Sequence, residues 1–162
     1  MNKQHVYTSS VPTRPTLHTE RLLPVLPCAC ANLRRAARAV TRMYDRELRA
    51  TGLEPTQYGL LMALNIKGET TQGELGRLLA LDTTTLTRML RPLTKRGWIA
   101  VRPGNDRRQR LLRLTAFGLL KLQQSQPHWE RAQRKLHRGL GEPGWSQMGE
   151  LLTEVTRASA GG

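Results

Sequence analysis

Acidic residues are scarce in this chain of 162: 12 Asp and Glu stand against 26 Lys and Arg, a formal net charge of +14. On a chain that still looks foldable, such an imbalance points to a polyanionic partner. Nucleic acid comes first, because each neutralised phosphate releases a counterion, and a membrane surface second. Aromatics make up only 4%, so the apolar material is mostly aliphatic side chains and alanine, enough for one core that should be helical. Cysteine is nearly absent. Cys28 and Cys30 stand one residue apart, too close for an unstrained disulfide with each other, and the chain has no third cysteine to bridge, which excludes a secreted disulfide scaffold. No apolar run approaches the roughly 20 residues that span a bilayer. Pro12, Pro15, Pro24 and Pro27 interrupt the apolar segment that a signal peptide needs. The expectation is a soluble cytoplasmic protein with no membrane partner. Catalytic signals are missing as well: there is no glycine-rich phosphate loop, no nucleophile elbow and no His/Cys cluster at metal spacing. Neither an enzyme nor a cofactor or metal site is expected.

What is present has a helical rhythm. Residues 1–27, rich in Thr, Ser, Pro and His, read as a flexible N-terminal arm. From Ala31 onward, Leu33, Ala36, Ala37, Val40, Tyr44 and Leu48 recur at the spacing of one buried helical face. Arg34, Arg35, Arg38, Arg42 and Arg49 lie opposite, as a solvated surface or a flanking phosphate contact, and Gly52 ends the helix. Pro55 suits the first position of a second helix, whose Tyr58–Leu64 stretch is apolar nearly all round and therefore central to the core. Thr71 with Glu74 forms a capping box for a short third helix with Leu75, Leu78 and Leu79 inside. After a break at Ala80 and Leu81, Asp82 caps a fourth helix with Leu86, Met89, Leu90 and Leu93 inside and Gly97 at its end. Pro92 should bend its second half.

Trp98–Val101 and Leu111–Leu114 read as two strands around the turn Pro103-Gly104-Asn105-Asp106. Thr115 then caps a long helix through Leu119, Leu120, Leu122, Trp129 and Leu136, broken or bent around Pro127. Gly139, Gly141, Pro143 and Gly144 mark its stop, and a last helix carries Met148, Leu151, Leu152 and Val155. The expected fold is mainly α with a small β wing. A winged helix-turn-helix lobe occupies residues 53–114, and helices at 28–52 and 115–158 form a dimerisation region.

The outward face of the fourth helix carries Thr83, Thr84, Thr85, Thr87, Arg88, Arg91 and Lys95, residues short or forked enough to meet base edges and phosphates in a major groove of double-stranded DNA. From Arg88 to Arg113 nine basic residues face a single acid, Asp106. In the wing, Arg107, Arg108 and Arg110 surround a turn whose tip fits a minor groove. Asp106 reads either as a clamp orienting Arg108 or as a residue that merely favours the turn. Histidines 128 and 137 are isolated and read as structural or solvated. Trp129 and Trp145 read as interface core. A binder that coats any duplex through charge alone is the alternative from a different class.

Taken in order, Leu53-Glu54-Pro55-Thr56-Gln57-Tyr58, Thr71-Gln72-Gly73-Glu74-Leu75, Leu86 to Gly97, and Asp106-Arg107-Arg108 followed by Leu114-Thr115 and Gly118 make a chain that resembles the MarR family of bacterial transcription regulators over about residues 30–158. The resemblance implies a homodimer whose first and last helices interlock, presenting two recognition helices and wings to a palindromic operator, usually as a repressor released by a small ligand. Aromatic or anionic effectors are frequent in the family, and Arg34, Arg38 and Tyr44 are the candidates to hold one. Cys30 lies 14 residues before Tyr44, similar to the spacing in the family's peroxide-sensing branch, so the resemblance also offers Cys30, with Cys28, as a redox site. That branch has a tyrosine where this chain has Arg34, and a distal resolving cysteine is absent here.

Overall fold

The computed structural model describes residues 24–104, 106 and 109–159. Helix α1 (Ala29–Leu48) passes through a 3-10 turn, Arg49–Thr51, to Gly52, whose left-handed backbone stops it. Its predicted inner face is largely uncovered in the single chain: only Leu48 is buried, and Leu33 is 39% exposed. Helix α2 (Pro55–Lys67) begins with Pro55 behind a capping box of Glu54 and Gln57 and buries Tyr58, Leu60, Leu61, Ala63 and Leu64. It is the centre of the core, as its all-round apolarity requires.

Strand β1 (Thr70–Thr71) leads directly into helix α3 (Gln72–Leu79) and turns at Ala80 into helix α4 (Thr83–Lys95). Two β-branched residues are the only local sign of β1, and the capping role of Thr71 hides it. Leu78, expected inside, is 50% exposed, because α3 buries Leu75 and Gly76 instead. On α4 the expected stripe holds, with Leu86, Leu90 and Leu93 buried and Met89 partly so. Pro92 does not end α4, which runs on to Lys95.

Strands β2 (Ile99–Pro103) and β3 (Arg110–Leu114) pair antiparallel, Ile99 opposite Leu114 and Val101 opposite Leu112, and β3 also pairs with β1. The sheet order is therefore β1-β3-β2. Helix α5 (Ala116–Ser159) follows, interrupted at Gly141, where φ 69° and ψ 169° leave the helical region. Of the break or bend expected around Pro127, the break does not occur. The carbonyl that Pro127 leaves unpaired belongs to Gln123, and both residues are exposed, so water satisfies it. The inner stripe of α5 also differs from the Leu119/Leu120 face expected: those two are 38% and 51% exposed, and Gly118, Leu122, Ser125 and Ala132 are buried. Trp129 stacks on Tyr58 with ring centroids 5.7 Å apart, fixing α5 to α2. Beyond Gly141 no described residue of α5 is buried.

Candidate nucleic-acid interface

Two local caps place the recognition elements. The Thr71 hydroxyl accepts the Glu74 N–H at 3.1 Å, and the Glu74 carboxylate accepts the Thr71 N–H at 2.9 Å and the Thr70 hydroxyl at 2.9 Å. The backbone N–H of Thr71, then the Thr70 and Thr71 hydroxyls, hold the Glu74 carboxyl down at about 2. Asp82 accepts the Thr85 hydroxyl at 2.6 Å and the Thr85 N–H at 2.9 Å, and these bonds lower its pKa. Each cap satisfies one N–H of its helix's first turn and engages its carboxylate in hydrogen bonds there, while Glu74 and Asp82 both remain exposed.

On α4, Thr83, Thr84, Thr87, Arg88, Arg91 and Lys95 are exposed opposite the buried leucines, while Thr85 is half-buried against its cap. Two clefts flank this surface. One, of about 730 Å³, runs between the start of α3, the start of α4 and the wing, and includes Gln72, Arg77, Thr83, Thr87, Gln109 and Arg110. The other, of about 390 Å³, lies between α4 and the sheet, with Leu90, Val101 and Leu112 among its lining residues and Arg91, Lys95 and Arg110 among its cations. Gln72, Arg77 and Gln109 were not singled out from sequence. Gln72 is the first residue of α3, next to its Thr71 cap, and that position was the available signal.

The wing is closed by Gly104 N–H donating to the Gln109 carbonyl at 2.9 Å and Gln109 N–H donating to the Asp106 carbonyl at 2.8 Å. Asp106 is exposed. Arg107 and Arg108, and with them the expected Asp106–Arg108 clamp, lie outside the described residues. Arg110 lines both clefts.

Not every basic residue in this stretch is available for phosphate. Arg102 forms a two-pronged pair with Glu69, Nε to Oε1 at 2.8 Å and Nη2 to Oε2. The hydrogen bond lowers the Glu69 pKa and raises that of Arg102. Glu69 lies before the run of nine bases, so counting within that run overstated its free charge. Arg96 sits 4.9 Å from the Trp98 ring centroid and donates to the Gly52 carbonyl at 3.3 Å.

Away from this face, Tyr44 lines a cleft of about 210 Å³ with Val40, Thr41, Pro55, Tyr58, Gly59, Met62 and Trp129. Its hydroxyl donates to Gln133 Oε1 at 2.6 Å, and burial raises its pKa. Arg34 and Arg38 are exposed on α1 and do not line that cleft. Cys28, the residue before α1, and Cys30 in its first turn are both exposed thiols. His128 Nδ1 lies 2.8 Å from the Glu47 carbonyl and 2.7 Å from Arg131 Nη2, and Arg131 and Lys135 pair with the Glu47 carboxylate, tying α5 to the end of α1. His137 and Trp145 face each other across the Gly141 interruption, ring centroids 5.0 Å apart. Among the described residues no three His, Cys, Asp or Glu gather at metal-binding distance, and no helix is long and apolar enough to cross a membrane.

A model of the MarR family matches residues 51–109. The crystal structure of the M. tuberculosis transcriptional regulator MOSR in complex with DNA is 33% identical, with a TM-score of 0.76 over 82% of this chain and 96% of that one. The chain belongs to the MarR family. Its curated relatives include the uncharacterized HTH-type transcriptional regulator YwoH of Bacillus subtilis, 31% identical over 83 residues, which are 51% of this chain and 61% of YwoH. The multiple antibiotic resistance protein MarR of Salmonella typhimurium is 36% identical over 78 residues, 48% of this chain and 54% of that protein. The chain thus spans little more than half the length of the curated relatives it matches. The MarR-family model ends inside the wing, whereas the likeness to MOSR takes in most of the chain.

Proposed function

We propose that this MarR-family chain is a transcriptional regulator that binds double-stranded DNA as a homodimer, with α4 in the major groove and the wing against the minor groove. The observation that carries the reading is the exposed face of α4. Arg88, Arg91 and Lys95 line it with Thr83, Thr84 and Thr87, and the two nearby acids that could oppose a phosphate, Glu74 and Asp82, are tied into caps. MOSR of M. tuberculosis, which this chain resembles over most of its length, was crystallised with DNA. On the wing, Arg110 is exposed and lines both clefts beside α4, and Arg107 and Arg108 precede it in the sequence.

Repression of a palindromic operator, relieved by a small aromatic or anionic effector in the cytoplasm, is the regulatory form we infer. The 210 Å³ cleft between α1, α2 and α5 has room for about one aromatic ring, and an occupant there would touch both the lobe carrying α4 and the helices that set its spacing. The cleft's hydroxyl-bearing residues are Thr41, Tyr44 and Tyr58; Arg34 and Arg38 do not line it. The test is fluorescence anisotropy on duplexes enriched from a random pool. Arg88→Ala should cost about 1–3 kcal/mol on the enriched duplex and relax preference at one base pair. Equal binding of every duplex by the parent would instead fit a protein that coats DNA through charge alone.

A further inference from the structure

The hydroxyl protons on α4 are partly committed before any DNA arrives. Thr85 Oγ1 donates to Asp82 Oδ2 at 2.6 Å. Thr87 Oγ1 donates to the Thr83 carbonyl at 2.7 Å and accepts from Gln72 Nε2, also at 2.7 Å. The direction of the second pair follows from the first. The Thr83 carbonyl can only accept, so the single Thr87 proton goes there, and the amide group facing Oγ1 must be the NH2 end of Gln72. A hydroxyl has one proton and two lone pairs, so Thr87 retains one lone pair and its methyl group for anything outside the helix.

Threonine in a helix has two accessible rotamers, and a bond from a neighbouring helix holds Oγ1 in one of them, which also fixes the methyl. Gln72 supplies that bond from the first position of α3, and Thr87 is exposed on the rim of both clefts that flank α4. In a major groove, guanine shows two acceptors, N7 and O6, and Thr87 has no proton to give them. The remaining lone pair suits the amino donor of adenine or of cytosine alike, so the choice of A·T rests on the thymine 5-methyl, which suits the Thr87 methyl.

We propose that Gln72 is a positioning residue that locks Thr87 into a methyl-presenting, proton-committed state, so that the junction of α3 and α4 selects an A·T pair and distinguishes thymine from a pyrimidine lacking the 5-methyl. The inference rests on the DNA-binding reading of α4 and adds to it a base preference and the residue that enforces it.

The experiment takes the duplex enriched by the parent protein from a random pool and replaces thymine by deoxyuridine one position at a time. In the parent, one position in each half-site should lose affinity about fourfold, the value of burying roughly one methyl group. Thr87→Ser keeps the hydroxyl network and removes the methyl, so the deoxyuridine penalty at that position should vanish while other positions keep theirs. Thr87→Val should retain the penalty, since valine carries a methyl at both γ positions and presents one without the Gln72 bond. Gln72→Ala should reduce the penalty at the same position to under about twofold without flattening the rest of the sequence profile. A Gln72→Ala protein that binds every duplex more weakly but keeps the full penalty would show a purely structural glutamine and overturn the proposal. So would a Thr87→Ser protein with the parent's deoxyuridine profile. Arg88→Ala separates the two levels: where it relaxes sequence preference but the thymine scan is flat, α4 reads DNA and the Gln72–Thr87 assignment is wrong. Where neither Arg88→Ala nor any thymine replacement changes preference, both readings fall together.

Discussion

Gly118 is the residue on which the join between wing and long helix depends. A Cβ at this position would lie 2.1 Å from the Trp98 carbonyl oxygen and 2.8 Å from Leu114 Cδ1. Thr115 holds the same crossing, its hydroxyl donating to the Gly97 carbonyl at 2.7 Å and accepting the Gly118 N–H at 3.0 Å. Gly118→Ala must therefore push backbone apart, and we expect it to lower unfolding free energy in urea by about 3 kcal/mol. An unchanged midpoint would mean that the crossing has slack. Glu74 gives a second expectation. Its folded pKa of about 2 lies below the ordinary 4.5, so its contribution to stability is complete above pH 4.5 and is lost as pH falls from there toward 2. An NMR titration of the Glu74 carboxyl carbon should show this depressed value. Thr71→Val, which removes the hydroxyl that bonds it, should move the midpoint upward.

Among the elements, the turn between α3 and α4 carries visible strain. Ala80 has φ 51°, the left-handed region that glycine occupies freely, while Leu81 N–H closes on the Gly76 carbonyl at 2.9 Å. Ala80→Gly should raise stability by about 1 kcal/mol, read as a higher thermal midpoint, without displacing α4. What could be read from sequence was mostly of this local kind. The caps at Thr71, Asp82 and Thr115 and the Leu86-Leu90-Leu93 stripe all depend on residues three or four apart, so they were legible. The inner face of α5 was not, because Gly118, Ser125 and Ala132 are buried for close approach rather than apolarity and so do not register as a hydrophobic period. The Arg102–Glu69 pair spans 33 residues and the Gln72–Thr87 bond 15, and both required the fold to bring them together. Pairing of the two-residue β1 with β3 was hidden for the same reason.

For the whole molecule, the unfinished surfaces lie at the two ends of the chain. Leu33 near the start of α1, and Leu151 and Leu152 after Gly141, are 39%, 59% and 45% exposed, and no described residue after Gly141 is buried by the chain itself. In the proposed homodimer a second copy covers these faces and places two α4 helices on one duplex. Leu151→Glu together with Leu152→Glu should shift sedimentation from dimer to monomer and weaken DNA binding without touching α4; a double variant that sediments as the parent does would locate the interface elsewhere. The most direct measurement of the central claim is a hydroxyl-radical footprint on an enriched duplex, made with the parent protein and with Arg88→Ala, Arg91→Ala. The account predicts two protected patches related by two-fold symmetry, centred about one helical turn apart or a multiple of it, that fade in the double variant. Protection spread evenly along duplexes of any sequence, unchanged by loss of the two arginines, would contradict it.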